Sequence, residues 1–244
     1  MVQLSVNVNK VATVRNSRGG AVPSVVEAAR VCVAAGAPGI TVHPRLDERH
    51  IRPSDVRELA AFLSTHPEVE YNIEGDARPD LMALVHEVRP TQCTLVPVLE
   101  GEVTSQGGWP TSTDEAELKR VIADLSEAGV RVSVFIEAVP EAVRWARSLG
   151  AHRVELFTEP YAVAFHAGPE AAETAFAPFV AAAELAHELG MGVNAGHDLD
   201  LDNLVRFRAL PHLDEVSIGH ALISQALFDG LDAVVRRYLS VLEG

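Results

Sequence analysis

The sequence predicts an α/β fold of the (β/α)8 TIM-barrel type. Three observations carry that expectation. Eight short β-prone runs alternate with segments of helical periodicity. The chain has 244 residues, close to the ~250 typical of such a barrel. No Gly-x-Gly-x-x-Gly follows the first run, which weakens the alternative of an open, doubly wound sheet. Nothing reads as a linker, a repeat or a low-complexity tract, so residues 1–244 are expected to form a single catalytic domain.

The β-prone runs are 4–8, 39–42, 69–73, 92–96, 131–136, 153–156, 192–194 and 215–218. The segment 24–35 places Val25, Ala28, Ala29 and Cys32 on one helical face. Ser54 reads as the cap of a helix carrying Val56, Leu59, Ala60 and Leu63. The segment 80–88 groups Leu81, Leu84, Val85 and Val88. Thr113 opens a helix with acids in its first turn, where the backbone dipole favours them. Pro140 starts a helix that ends at Leu149-Gly150, and an Ala-rich helix over 171–189 stops at Gly190. Helices over 200–209 and 221–242 complete the set. Strands alternating with helices imply parallel pairing and right-handed crossovers. The connection over 97–112 is long and Gly-rich, and is expected to act as a mobile lid.

Composition narrows the function classes. The chain is 48% hydrophobic and 22% charged, as a globular protein is. Its net charge of −14 argues against general binding to nucleic acid or anionic membranes, whose partners are basic. The N-terminus lacks the layout of a signal peptide, and no apolar run reaches membrane-spanning length. Cys32 and Cys93 sit in apolar contexts without metal-ligand spacing, and are read as buried free thiols in a cytoplasmic protein.

In a barrel of this kind the chemistry lies at the carboxyl ends of the strands. The first strand leads to Asn7, Asn9 and Lys10, with Arg15 and Arg18 beyond. The second leads to His43, Arg45 and His50, the third to Asn72 and Glu74, and the fourth to Glu102, Thr104 and Ser105. Glu137 follows the fifth strand, Glu155 and Thr158 the sixth. The seventh leads to Asn194, Gly196 and His197, and the eighth to Gly219 and His220. The opposite ends offer little chemistry. His43, His197 and His220 suit proton transfer near neutral pH. Glu74 and Glu155, partly out of water, would have raised pKa values. Arg18 and Arg45 suit phosphate. Gly219-His220 and Gly196-His197 each lead into a helix, whose N–H groups bind anions. Two anion sites follow, one around Arg18 and the last loop, another around Arg45 and His50.

Other residues have bland readings. Asp47, Glu48 and Arg49 read as a solvated surface with local ion pairs, and Arg15 as a helix-end cover. His66, His86, His152, His187 and His212 read as structural. Trp109 serves lid packing or a substrate wall equally well. No His-x-His or HExxH spacing suggests a metal site. Lys10 is the one amine at the mouth that could act as a nucleophile.

At these same residues the chain resembles the pyridoxine 5′-phosphate synthase family of vitamin B6 biosynthesis. The blocks that carry the resemblance are VNVNKVATVRNSRGG (6–20), GITVHPRLDERHI (39–51), NIE (72–74), LVP and EVTSQGG (95–97, 102–108), VNAGHDL (193–199) and SIGHALI (217–223). Their order and spacing match over nearly the whole length. The resemblance implies a (β/α)8 barrel with extra helices, assembled as a homo-octamer of dimers. It implies a transferase that condenses 1-deoxy-D-xylulose 5-phosphate with 3-amino-2-oxopropyl phosphate, without metal or organic cofactor. It makes His43 and Glu74 proton acceptors, His197 a proton donor, and Glu155 a support for the transition state. It places Asn7, Arg18, Gly219 and His220 at the amino-ketone phosphate, and Arg45, His50 and Thr104 at the deoxyxylulose phosphate.

Three departures stand out. Asn9-Lys10 replaces the family's usual Asp-His at the deoxyxylulose phosphate. Asp198 replaces a common Gly after the catalytic histidine, near the amino-ketone phosphate, where a carboxylate should repel the ester unless it points away. Glu159-Pro160 replaces a Gly-x pair. These departures keep two alternatives open: another phosphosugar barrel enzyme (isomerase, epimerase or aldolase), or a non-catalytic phosphate-ligand binder.

Overall fold

The computed structural model describes residues 1–98 and 105–244. Among them are eight strands: β1 Gln3–Asn7, β2 Gly39–Val42, β3 Glu70–Gly75, β4 Gln92–Leu95, β5 Arg131–Ile136, β6 Arg153–Phe157, β7 Gly192–Gly196 and β8 Leu213–Ile218. They pair in parallel in chain order, and β8 returns to β1 to close the barrel. The expected TIM barrel is the fold of this chain.

Helices follow each strand: α1 Asn9–Asn16 and α2 Val25–Ala34, α3 Pro53–Leu63, α4 Pro79–Val88, α5 Glu115–Glu127, α6 Pro140–Leu149, α7 Glu159–Ala167 and α8 Pro169–Glu188, α9 Leu204–Phe207, α10 His220–Asp229 and α11 Leu231–Glu243. The sequence periodicity does not mark α1 or α7. Their polar and apolar residues are not segregated into a clear stripe. The helix expected over 221–242 is two helices, broken at Gly230, whose φ of 85° favours glycine. Ser54 lies inside α3 rather than capping it. The helix starts after Arg52 with Pro53 in its first turn, and the Asp55 carboxylate accepts from the Arg52 N–H at 2.8 Å. The helix expected to open at Thr113 starts at Glu115, with Asp114 accepting from Ala116 N–H at 3.0 Å. The helix expected over 200–209 shortens to α9.

Strand alternation separates two environments. Leu4, Val6, Ile40, Val42, Ile73, Leu95, Val132, Val134, Val154, Val193 and Val216 are wholly buried between sheet and helices, where the hydrophobic core sits. The opposite face, inside the barrel, is polar. Ser5 Oγ and Thr41 Oγ1 are 2.6 Å apart, Asn72 Nδ2 donates to Thr41 Oγ1, and Thr94 Oγ1 donates to Asn72 Oδ1 at 3.1 Å. Asn194 of β7 donates to Gln92 Oε1 of β4, spanning the interior. At the strands' amino ends, Arg131 pairs with Glu70, and Arg153 lies 2.9 Å from Asn194 Oδ1 and 3.5 Å from Glu215 Oε2. These groups plug the floor, so polar chemistry is accessible from the other mouth.

Among the described residues no helix is long and apolar enough to cross a membrane. Cys32 and Cys93 are free and buried, as expected. The five histidines read as structural lie away from the open mouth. His187 stacks on His212 with ring centroids 3.7 Å apart, His212 reaches Glu184, His86 reaches Asp124, and His152 Nδ1 accepts from Val132 N–H. His66 Nδ1 is 2.9 Å from the Thr65 hydroxyl.

Candidate active site

The open mouth holds a cavity of about 330 Å³. That is within the usual range for small-ligand sites, roughly 300–1,000 Å³. Asn7, Asn9, Lys10, His43, Arg45, His50, Glu74, Glu155, His197, Asp198, Gly219 and His220 all line it. These residues come from six strands or the segments just after them, which only barrel closure brings together. One expected site residue falls elsewhere, and another is not among the described residues. Arg18 is exposed in the turn after α1 and is not part of the cavity wall. Thr104 lies outside the described residues, as does Glu102.

The proton-transfer candidates sit in a graded environment. His43 follows β2 and is 7% exposed. Burial, then the nearby His50, Arg45 and Arg78, push its imidazole down to about 3. It is therefore neutral at pH 7 and able to accept a proton. Its Nδ1 lies 3.9 Å from Glu74 Oε2, and its backbone N–H donates to Asn9 Oδ1 at 2.9 Å. Glu74, near the end of β3, accepts from Ser217 Oγ at 3.3 Å and from Asn7 Nδ2 at 3.5 Å. Burial outweighs these hydrogen bonds and raises its carboxyl to about 7. Glu155 on β6 is 4% exposed. Burial and the neighbouring carboxyls of Glu74 and Glu215 hold its carboxyl well above the usual range, which favours its protonated form. Gly196 makes room for it, because a Cβ there would lie 3.0 Å from Glu155 Oε1. His43 Nε2 and Glu155 Oε2 are buried with no hydrogen-bond partner among the described residues.

His197 stands on the opposite side of the mouth, after β7. Its ring meets Phe157 edge-on at 5.3 Å and Phe135 at 6.3 Å. It does not open a helix as expected: α9 begins only at Leu204, so the Gly196-His197 backbone offers no helix terminus. Gly219-His220 does, since α10 starts at His220, and Gly219, His220 and Ala221 at that helix start line the cavity. Gly219 packs directly on Asn7, whose Cβ and Cγ lie 3.1 Å from where a side chain would begin.

The second anion locus is Arg45 with His50 and Lys10. Burial, then Lys10 and Arg45, lower the His50 imidazole to about 4. Its Nδ1 accepts from Ile51 N–H at 2.9 Å, so the neutral ring carries its proton on Nε2, as a donor. Arg15 does more than cover a helix end. It is buried, makes a two-pronged pair with Asp55 of α3, and donates to the His50 carbonyl at 3.2 Å. Asn16 Nδ2 donates to the same carbonyl at 2.7 Å. The 43–52 segment is thus pinned from beneath. Asp47 and Arg49 pair with each other at its surface, as expected.

From Ser105 onward the loop after β4 is tied down. Trp109 Nε1 donates to the Leu95 carbonyl, Trp109 N–H to the Phe135 carbonyl, and Gly108 N–H to Glu137 Oε1. A Cβ at Gly108 would lie 2.4 Å from Ile136 Cα, so only glycine fits. Trp109 is loop packing here. Part of the expected lid, 99–104, is outside the described residues.

Residues 4–244 match the family described as pyridoxal phosphate biosynthesis protein PdxJ. The chain belongs to this family. The chain is 53% identical to a pyridoxine 5′-phosphate synthase of Bacteroides thetaiotaomicron, covering 99% of this chain and all of that one. It is 50% identical to another so named from Christiangramia forsetii, over the full length of both. Among solved structures, 3-hexulose-6-phosphate synthase from Salmonella typhimurium resembles this PdxJ chain with a TM-score of 0.67. The identity is 14%, covering 99% of this chain and 98% of that one, so the likeness is of fold.

Within this PdxJ framework the three departures have definite places. The Asn9 amide oxygen fixes the His43 backbone, and Asn9 and Lys10 form the first turn of α1 rather than a strand end. Asp198 Oδ2 lies 3.1 Å from His197 Nδ1. Glu159 and Pro160 open α7. The sequence reading missed Ser217, which braces Glu74. Strand alternation puts Ser217 on the inward face of β8, two residues after Glu215, but nothing in the sequence pairs it with Glu74. Phe135 on β5 and Val96, one residue past β4, also line the cavity and follow the same alternation.

Proposed function

We infer that this PdxJ-family chain is a pyridoxine 5′-phosphate synthase, condensing 1-deoxy-D-xylulose 5-phosphate with 3-amino-2-oxopropyl phosphate. The relatives at 53% and 50% identity carry that name. The observation that best supports the chemistry is the pairing in one cavity of a histidine held neutral, His43, with a carboxyl poised near neutrality, Glu74. Glu74, near its midpoint at pH 7, can take or give a proton, while the neutral His43 ring offers a nitrogen lone pair beside it.

The reaction joins an amine to a ketone with loss of water, then closes a ring with loss of inorganic phosphate and more water. Each stage needs a proton taken from one atom and delivered to another. His43 and Glu74 take protons on one side of the bound intermediates. His197 delivers one from the facing wall. Glu155, neutral beneath them, donates a hydrogen bond to developing negative charge. Arg45 and the Nε2–H of His50 hold the deoxyxylulose phosphate, with Lys10 adding a second cation. The N–H groups at the start of α10, with Gly219 and His220, hold the amino-ketone phosphate. Asn7 fixes Glu74 between the two sites.

The test is direct. Purified protein with both phosphates, in phosphate-free buffer, is expected to form pyridoxine 5′-phosphate and one inorganic phosphate per product. Folded protein that makes neither would overturn the reading. Self-association belongs to the same proposal. It is supported by exposed apolar Val22, Leu227 and Phe228, and light scattering of the purified protein tests for the octamer. A cytoplasmic setting is also proposed, supported by the two buried free thiols.

A further inference from the structure

We propose that Asp198 is a positioning residue for His197: its carboxylate holds the proton of the neutral imidazole on Nδ1 and presents Nε2 to the substrates. The inference rests on the synthase reading for its kinetic consequence, though not for the imidazole geometry itself.

The local backbone is built for this contact. His197 has φ 84° and Asp198 has φ 60°, two consecutive non-glycine residues in the left-handed region. That conformation is costly for residues with a Cβ, and it persists only where the surroundings over-determine it. Here they do. The Thr158 hydroxyl lies against the carbonyls of both Gly196 and His197 and shares its one hydrogen between them. Asn203 Nδ2 donates to the Asp198 carbonyl at 3.0 Å, and Asn203 Oδ1 accepts from Asp200 N–H at 2.9 Å. Asn203 is itself fully buried. The turn folds the Asp198 side chain back along the chain, which brings Oδ2 to 3.1 Å from Nδ1 of the preceding ring.

The ring is held on its other faces. Phe157 meets it edge-on and Phe135 at a tilt, so rotation about its bonds is restricted. With Nδ1 committed to a carboxylate, which accepts only, the neutral imidazole must carry its hydrogen there. Nε2 is then the ring nitrogen without the hydrogen, the one able to accept a proton. A negative charge beside Nδ1 also supports positive charge on the ring while a proton passes through it. The same contact answers the repulsion expected between Asp198 and a substrate phosphate, since the carboxylate is turned onto a histidine. The hydrogen bond to His197, with His220 nearby, keeps Asp198 ionised below the usual aspartate range.

The test uses full-length Asp198→Asn and Asp198→Gly proteins with ¹⁵N-labelled histidine. Asparagine keeps an acceptor oxygen and tolerates positive φ, whereas glycine removes the acceptor and accepts the turn without strain. Without substrates, wild type and D198N are expected to show the Nδ1–H form of His197, and D198G a mixture of both forms. With substrates, kcat is expected to fall about tenfold in D198G, a part of the roughly 10²–10⁴ a positioned acid contributes. D198N is expected to lose less, with KM for both phosphates within about twofold of wild type. D198G with wild-type tautomer and wild-type kcat would overturn the proposal. So would a loss confined to KM of the amino-ketone phosphate, which would make Asp198 a substrate contact. The tautomer is read without turnover, so a protein lacking synthase activity would fail the functional reading and leave this one to be decided by the spectrum.

Discussion

Replacing Glu74 by Gln separates the chemical role of this carboxyl from its structural cost. The group is 9% exposed and its carboxyl is raised from 4.5 to about 7. Between those values the native protein holds a proton that the unfolded chain has lost. Stability therefore falls as pH rises from about 4.5 to 7, and the loss is complete above that window. The displacement corresponds to about 3 kcal/mol at pH 8 and about 1 kcal/mol at pH 5.5. Glutamine is neutral throughout and can still accept from Ser217. The variant is expected to be more stable than wild type at pH 8 by about 2–3 kcal/mol, with a margin that shrinks to about 1 kcal/mol at pH 5.5. Its kcat is expected to fall by roughly 10²–10⁴, or about 3–5 kcal/mol of barrier, because the amide cannot relay a proton. Urea titrations at the two pH values and a continuous phosphate-release assay read both quantities. Near-wild-type turnover, or a stability margin equal at both pH values, would refute the assignment of Glu74 as a buried proton carrier.

Other outcomes follow from the same geometry. Arg45→Lys exchanges a forked donor for a point charge, and should raise KM for deoxyxylulose phosphate about tenfold while changing kcat less, as initial rates at varied substrate will show. Arg15→Ala leaves Asp55 buried without its partner, and should cost about 3–5 kcal/mol in denaturant titration, with Arg15→Met/Asp55→Leu milder than the single change. His43 and His50, lowered to about 3 and 4, are neutral in the native state while the unfolded chain still binds protons below about pH 6.5. Their burial makes stability rise with pH across that window, so His50→Gln should flatten the acid limb of a stability–pH profile.

How far the sequence reaches into the structure depends on the kind of signal. The strands were legible because β-prone runs end on polar residues at one side only, as in GITVHPR over 39–45. Helices with clear apolar stripes, such as α2 and α4, were equally plain. Helices α1 and α7 were not, since they lack such a stripe. The cavity lining was largely readable because catalytic groups cluster at strand ends. Three features were out of reach of one-dimensional reading. Ser217 braces Glu74 across 143 positions of sequence. Arg15 reaches Asp55 and the His50 carbonyl across adjacent units of the barrel. Asp198 turns back on His197 only because both adopt positive φ. Arg18 shows the opposite limit: a phosphate-binding residue type near a strand end, yet exposed and outside the cavity wall.

The central claim is that one barrel mouth seats two phosphate esters on either side of a shared set of proton carriers. A crystal structure of the protein with deoxyxylulose 5-phosphate and inorganic phosphate tests it most directly. The expected result is two phosphorus positions, one against Arg45 and His50 and one at the start of α10, with the sugar carbons beside His43 and Glu74. Phosphorus bound only outside this cavity, or sugar carbons out of reach of both groups, would contradict it.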